Sequence, residues 1–165
     1  MRTVFWAGAW VFLLDQLSKY LVVHMMDLRT LGEIDVLPPY LNLRMAWNSG
    51  INFGLFSGHS DAARWVLIGI ALAIVGAVLV WVWRDLPGRI GQISAGVLVG
   101  GALSNVVDRV LYGAVADFLN MSCCGIENPF AFNVADIAVF AGAFGLVLFS
   151  GGGSGKGSPR GKKGT

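Results

Sequence analysis

Charge is scarce in this chain. Of its 165 residues only 13% are charged, against 55% hydrophobic, and the mean hydropathy is +0.66. Soluble domains carry about 25% charged residues, so the composition argues for a bilayer as the solvent. Cysteine is nearly absent: Cys123 and Cys124 are the only two, and they are adjacent. Metal sites need spaced ligands, and neighbouring cysteines bridge only with strain, so both are expected to be loop thiols. Histidine occurs twice, and neither a Ser/His nucleophile pair nor a metal-ligand set can be assembled. No cofactor is expected. The net charge of +2 reflects membrane orientation rather than nucleic-acid binding.

What is present is a series of long apolar runs. Trp65–Trp83 and Ile90–Val107 carry no charge and approach the ~20 residues that cross a hydrocarbon core. Thr3–Met26 is apolar except for Asp15, Lys19 and His24, and Asn133–Phe149 except for Asp136. The expected fold is membrane all-α, with four transmembrane helices at about 3–26, 65–83, 90–112 and 133–150. Charges within the first run, and the lack of an A-x-A site after it, argue against a cleaved signal peptide.

Arg2, Arg84 and Arg89, and the basic Gly/Ser-rich segment 151–165, set both termini and the short second loop on the cytoplasmic side. Segment 151–165 is expected to be a disordered tail. Residues 27–63 and about 113–132 then face outward. Within the first of these, Leu41–Trp47 partly alternates apolar and polar residues, as a short strand does. Asn48-Ser49-Gly50 reads as a turn, and a small β-rich outer platform is expected. Gly96 and Gly100 make a small-xxx-small pattern that allows close helix approach.

The informative residues are the ionisable ones in or beside apolar runs: Asp15, Lys19, Asp108, Arg109, Asp117 and Asp136. A charge at the bilayer centre costs roughly 2.5–3.5 kcal/mol on insertion scales. Asp15 and Lys19, at i and i+4, share a helix face and can pair. They read as a structural ion pair or as a substrate contact. Asn105, Asp108 and Arg109, at i, i+3 and i+4, also share a face, with Asp108 a possible counter-ion for Arg109. That set reads either as a polar network closing the bundle or as Arg109 and Asn105 holding a substrate backbone. Asn133 and Asp136 have the spacing of a helix cap. Asp117 and Asp136 both fall at the outer edge. Two carboxylates sharing a low-dielectric site cannot both ionise easily, and such a pair can act as acid and base on a water. The shared proton is expected on Asp117, because Asp136 has a helix N-terminus beside it. A transporter would place such acids near the midplane, often with repeats. A bare scaffold leaves the cost of the pair unexplained.

Five blocks occur in order: Asp15-Gln16-Leu17-Ser18-Lys19, Asn48-Ser49-Gly50, Asn105-x-x-Asp108-Arg109, Val115-Ala116-Asp117-Phe118 and Phe132-Asn133-Val134-Ala135-Asp136. Over roughly residues 10–150 they resemble bacterial lipoprotein signal peptidase (signal peptidase II). The resemblance implies a four-helix inner-membrane aspartic endopeptidase with a small periplasmic β-cradle. It would cut diacylglyceryl-modified prolipoproteins just before the lipidated cysteine, without a cofactor. It puts catalysis on Asp117 and Asp136. Substrate binding or support falls to Asn48, Gly50, Asn105, Asp108, Arg109 and Asn133, and the first-span pair to Asp15 and Lys19. A single chain needs no partner for this site, so a monomer is expected. The sequence departs from the commoner pattern at Ile51-Asn52 and at Ser104, which precedes Asn105 in place of glycine.

Overall fold

The architecture comes from a computed structural model, which describes residues 1–50, 61–85, 87–123, 125 and 128–149. The Ile51-Asn52 departure and the basic segment 151–165 lie outside these. Helix α1 (Arg2–Lys19) runs into a π-helical segment, Tyr20–Met25, and then a single helical turn, α2 (Leu28–Leu31). Strands β1 (Glu33–Leu37) and β2 (Leu41–Asn48) follow. After α3 (Asp61–Asp85) and α4 (Arg89–Tyr112) the chain forms β3 (Val115–Asn120) and ends its described part with α5 (Val134–Phe149).

The helices are polar inside and apolar outside. Phe5, Trp6 and Trp10 on α1, Ile70 and Val80 on α3, and Phe140 and Phe144 on α5 are exposed, while Asp15, Lys19, Ser104 and Asp108 are buried. That inversion suits a lipid solvent, where backbone and polar groups must be satisfied internally. Ala62–Asp85 and Arg89–Tyr112 are each long and apolar enough to cross a membrane. Val134–Phe149 is a shorter apolar helix.

Helix α4 is the hub, packing on α1, α3 and α5. Lipid tails are as apolar as leucine, so close backbone approach replaces hydrophobic contrast as the packing force. Glycine supplies it. A Cβ on Gly100 would collide with the Gly8 carbonyl oxygen of α1, and one on Gly142 of α5 would lie 2.5 Å from the Leu98 nitrogen of α4. The Gly96/Gly100 pattern thus does what its spacing suggests. A small apolar core of Val4, Val82 and Ala95 fills the bundle beneath.

The three strands form one antiparallel sheet in the order β1-β2-β3. Pro38–Tyr40 makes the turn after β1, with a cis bond between Pro38 and Pro39. The expected small β-rich unit exists as a sheet, and β3, which carries Asp117, is a third strand beyond the β-rich segment expected at 27–63. Its register pairs Ala46 with Asp117, Trp47 with Ala116 and Asn48 with Val115. Leu28, Leu43 and Phe118 form a second core that fixes the sheet to the bundle. Cys123 is disulfide-bonded and not the free loop thiol expected from sequence.

Candidate active site

The site assembles where β3 meets the start of α5. Phe132 and Leu119 exchange backbone hydrogen bonds: Leu119 N donates to the Phe132 carbonyl at 2.8 Å, and Phe132 N to the Leu119 carbonyl at 3.0 Å. The chain therefore enters α5 alongside the strand that carries Asp117. The Asn133/Asp136 cap forms reciprocally. Asp136 N donates to Asn133 Oδ1 at 2.8 Å, and Asn133 N donates to Asp136 Oδ2 at 3.3 Å. This is a capping box with asparagine and aspartate in place of the usual pair.

Asn133 does a second job. With Oδ1 committed to the helix, its Nδ2 must face the other way, and it donates to Asp117 Oδ1 at 2.6 Å. The other oxygen of Asp117 accepts from Asn48 Nδ2 at 3.1 Å. Asn48 is oriented by its own turn, since Gly50 N donates to Asn48 Oδ1 at 3.0 Å. Gly50 sits at φ +104°, a region that side chains disfavour, so glycine is what makes this turn possible. Asp136 Oδ1 accepts from Asn105 Nδ2 at 2.8 Å. The two candidate catalytic carboxylates are thus joined through asparagines.

Neither Asp117 nor Asp136 makes an ion pair among the described residues. Burial pushes the Asp117 carboxyl up from 3.8 to about 6; the charge of Asp136 adds to this, and the hydrogen bonds from Asn48 and Asn133 and the charge of Lys19 oppose it. Arg109 lies within electrostatic reach of Asp136, Asp117 and Asp108. Its Nη1 donates to the Asn105 carbonyl at 3.3 Å, and its buried Nε has no hydrogen-bond partner among the described residues.

The remaining charges form a neighbouring cluster. Lys19 Nζ lies 2.6 Å from Asp15 Oδ2 and 2.6 Å from Asp108 Oδ2, and it donates to Asn105 Oδ1 at 3.2 Å. The expected Asp15/Lys19 pair is there. The expected Asp108–Arg109 pair is not: Asp108 belongs to Lys19. Consecutive residues on a helix do not face each other, so Asp108 turns toward α1 while Arg109 turns toward the dyad. Asp108 also accepts from Ala116 N at 3.3 Å, and Asp15 Oδ1 from Ala135 N of α5 at 2.7 Å.

Two contributors escaped the sequence reading. Gln16 Nε2 donates to Asp108 at 2.8 Å and to Ser104 Oγ at 2.9 Å, and Ser104 Oγ donates to Asp15 at 2.7 Å. The serine that departs from the commoner glycine is therefore fully buried and bonded. An amide beside Asp15 in an apolar helix was the available signal for Gln16. Among the described residues no His, Cys, Asp and Glu cluster is arranged to hold a metal.

Residues 8–151 match the sequence profile of the family Signal peptidase (SPase) II. The chain belongs to the signal peptidase II family. Relatives named lipoprotein signal peptidase agree. That of Methylobacterium sp. (strain 4-46) is 38% identical over 86% of this chain and 84% of its own. That of Rhodopseudomonas palustris is 34% identical over 87% and 88%. A solved structure described as a bacterial membrane enzyme superposes with a TM-score of 0.76 at 28% identity, covering 90% of this chain and 92% of that one. A second gives 0.75 at 27% identity over 98% and 96%. As a signal peptidase II the chain is a membrane protease of the aspartic type, which is the class of chemistry that two carboxylates joined through shared donors, one buried and one half-buried, can perform.

Proposed function

We propose that Asp117 and Asp136 are the catalytic pair, and that the chain removes signal peptides from prolipoproteins whose lipidated cysteine carries diacylglycerol, cutting just before that cysteine. The observation that carries this reading is an aspartate pair, Asp117 buried and Asp136 half-buried, joined through Asn133 and Asn105, with no ion pair to either among the described residues. In the mechanism, a water sits between the carboxylates. Asp136, with a helix N-terminus and Asn105 as donors, accepts the proton of that water as it attacks the scissile carbonyl. Asp117 carries the shared proton, hydrogen-bonds to the developing oxyanion and then protonates the leaving amine. The ionisation belongs to the pair as a unit. Arg109, whose Nε has no partner among the described residues, holds the backbone of the substrate. Asn105 supports Asp136, since its amide is already engaged there.

The same reading takes α1 with its π-helical extension, α3, α4 and α5 as four spans of one domain. Both termini are then cytoplasmic, as the basic loop Arg84–Arg89 and the basic residues after α5 imply. The sheet and the dyad lie at the outer, periplasmic face of the inner membrane. The lipid chains of the substrate stay in the bilayer while the peptide is cut at its surface. One chain supplies every group of the site, so a monomer suffices.

The test is cleavage of a diacylglyceryl-modified prolipoprotein by the purified protein in liposomes. Asp117→Asn and Asp136→Asn should each abolish cutting while the protein keeps its thermal transition. Cutting that survives in either variant overturns the dyad.

A further inference from the structure

Lys19 makes no hydrogen bond or ion pair with either candidate catalytic aspartate, yet every donor of its ammonium is spent. An ammonium has three N–H bonds. Here they meet Asp15 at 2.6 Å, Asp108 at 2.6 Å and Asn105 Oδ1 at 3.2 Å. The third contact is the instructive one. Asn105 Oδ1 also accepts from Asn133 Nδ2 at 3.2 Å. Two donors therefore converge on one end of the Asn105 amide, which fixes the carbonyl oxygen there. The NH2 end is left pointing at Asp136, where it donates at 2.8 Å.

We propose that Lys19 is a positioning residue of the protease, a three-legged support that fixes the orientation of the Asn105 amide and, through it, the carboxylate of Asp136. The inference rests on the dyad proposed above. Its anchors are themselves held. Asp15 is bound by Ser104 Oγ at 2.7 Å and by Ala135 N at 2.7 Å. Asp108 is bound by Gln16 at 2.8 Å and Ala116 N at 3.3 Å. These contacts come from α1, α4, β3 and α5, so the ammonium is located by most of the elements that make the site. Asp15 and Lys19 can pair without any of this. The contact with Asn105 is what a plain ion pair does not need.

The geometry separates shape from charge. Arginine keeps the positive charge but presents a planar fork in place of three tetrahedral donors, so it cannot reproduce the same three contacts. Room exists for it: a cavity of about 110 Å³ adjoins Lys19 and is lined by Gln16, Tyr20 and Asp108 among others. Lys19→Arg should therefore fold.

The experiment measures prolipoprotein cleavage in liposomes for wild type, Lys19→Arg, Asn105→Ala and the double variant. Displacing a catalytic group by an ångström can cost about 100-fold, so Lys19→Arg is expected to lower kcat between about 10-fold and 100-fold with KM within about twofold of wild type. In the double variant the lysine change should add nothing to the loss caused by Asn105→Ala. Losses that multiply, or a kcat near the wild-type value in Lys19→Arg, overturn the proposal. If Lys19→Arg does not fold, Lys19→Met/Asp108→Asn removes one charge of each sign and must show the same loss and the same non-additivity. Asp136→Asn serves as the separate control. If it still cuts, the dyad reading fails whatever the cycle gives. If it is dead and the cycle is additive, only the role of Lys19 fails.

Discussion

Two aspartate pairs lie within a few side chains of each other in this bundle, and they are treated in opposite ways. Asp15 and Asp108 share Lys19 and accept further bonds from Ser104, Gln16, Ala116 and Ala135. Among the described residues, Asp117 and Asp136 have asparagine amides and one backbone N–H as donors and make no ion pair. The same side chain is inert structure in one place and a candidate reactive group in the other. What differs is compensation. A carboxylate held by an ammonium has its charge met by an opposite charge, while a pair held by neutral donors does not.

The largest test of that contrast is functional. Replacing either uncompensated acid by asparagine should lower kcat by at least about 10³-fold, in the range of lost acid–base catalysis, with the fold retained; a loss of folding would mean that this pair too is scaffold. The mirror experiment is Lys19→Met, which leaves Asp15 and Asp108 buried without a cation. Breaking a buried pair from one side costs about 3–5 kcal/mol, read as a lower thermal transition in detergent. A variant as stable as wild type would show that compensation is unimportant there.

A smaller effect follows from pH. The folded-state value for Asp117, about 6, lies above the ordinary 3.8. The contribution of the neutral carboxyl to stability is fully present below about pH 4 and is lost as pH rises through 6, where the folded state must hold the charge. Asp117→Asn should therefore be more stable than wild type at pH 8, with the difference shrinking toward pH 4. A constant difference would mean that Asp117 does not titrate in this range. Outside both pairs, Gly100→Ala pushes a methyl into the Gly8 carbonyl and should cost about 1–3 kcal/mol, while the two pairs keep their contacts if the helices re-seat. Smallest is Asn48→Ala. Loss of one neutral hydrogen bond should lower kcat by about tenfold or less and shift the alkaline limb of the pH–rate profile upward, because that bond opposes the rise at Asp117. A downward shift would contradict Asp117 as the proton carrier.

How much of this could be read in the chain depended on distance along it. Asp15 with Lys19, and Asn133 with Asp136, are local pairs, and helix spacing alone brought them together. The Asn48–Gly50 turn was legible for the same reason. What was not legible was partner choice between helices. Asp108 was matched to its neighbour Arg109, but it pairs with Lys19 because α1 and α4 are drawn together at Gly8, Gly96 and Gly100. Glycine spacing announces close approach without saying which polar rows then face each other. Strand β3 was missed because its residues are buried at nearly every position, so the alternation that marks a half-exposed strand is absent.

The link between Asn133 and both aspartates bears on when the enzyme becomes active. Asn133, Ala135 and Asp136 all lie at the start of α5, and every other group of the site is synthesised before them. A nascent chain that has threaded only α1 to β3 carries Asp117 and its Asn48 donor but lacks Asn133, the second donor to Asp117, and the proposed partner acid Asp136. With the catalytic pair proposed above, protease activity in the membrane would wait for the docking of a single late helix.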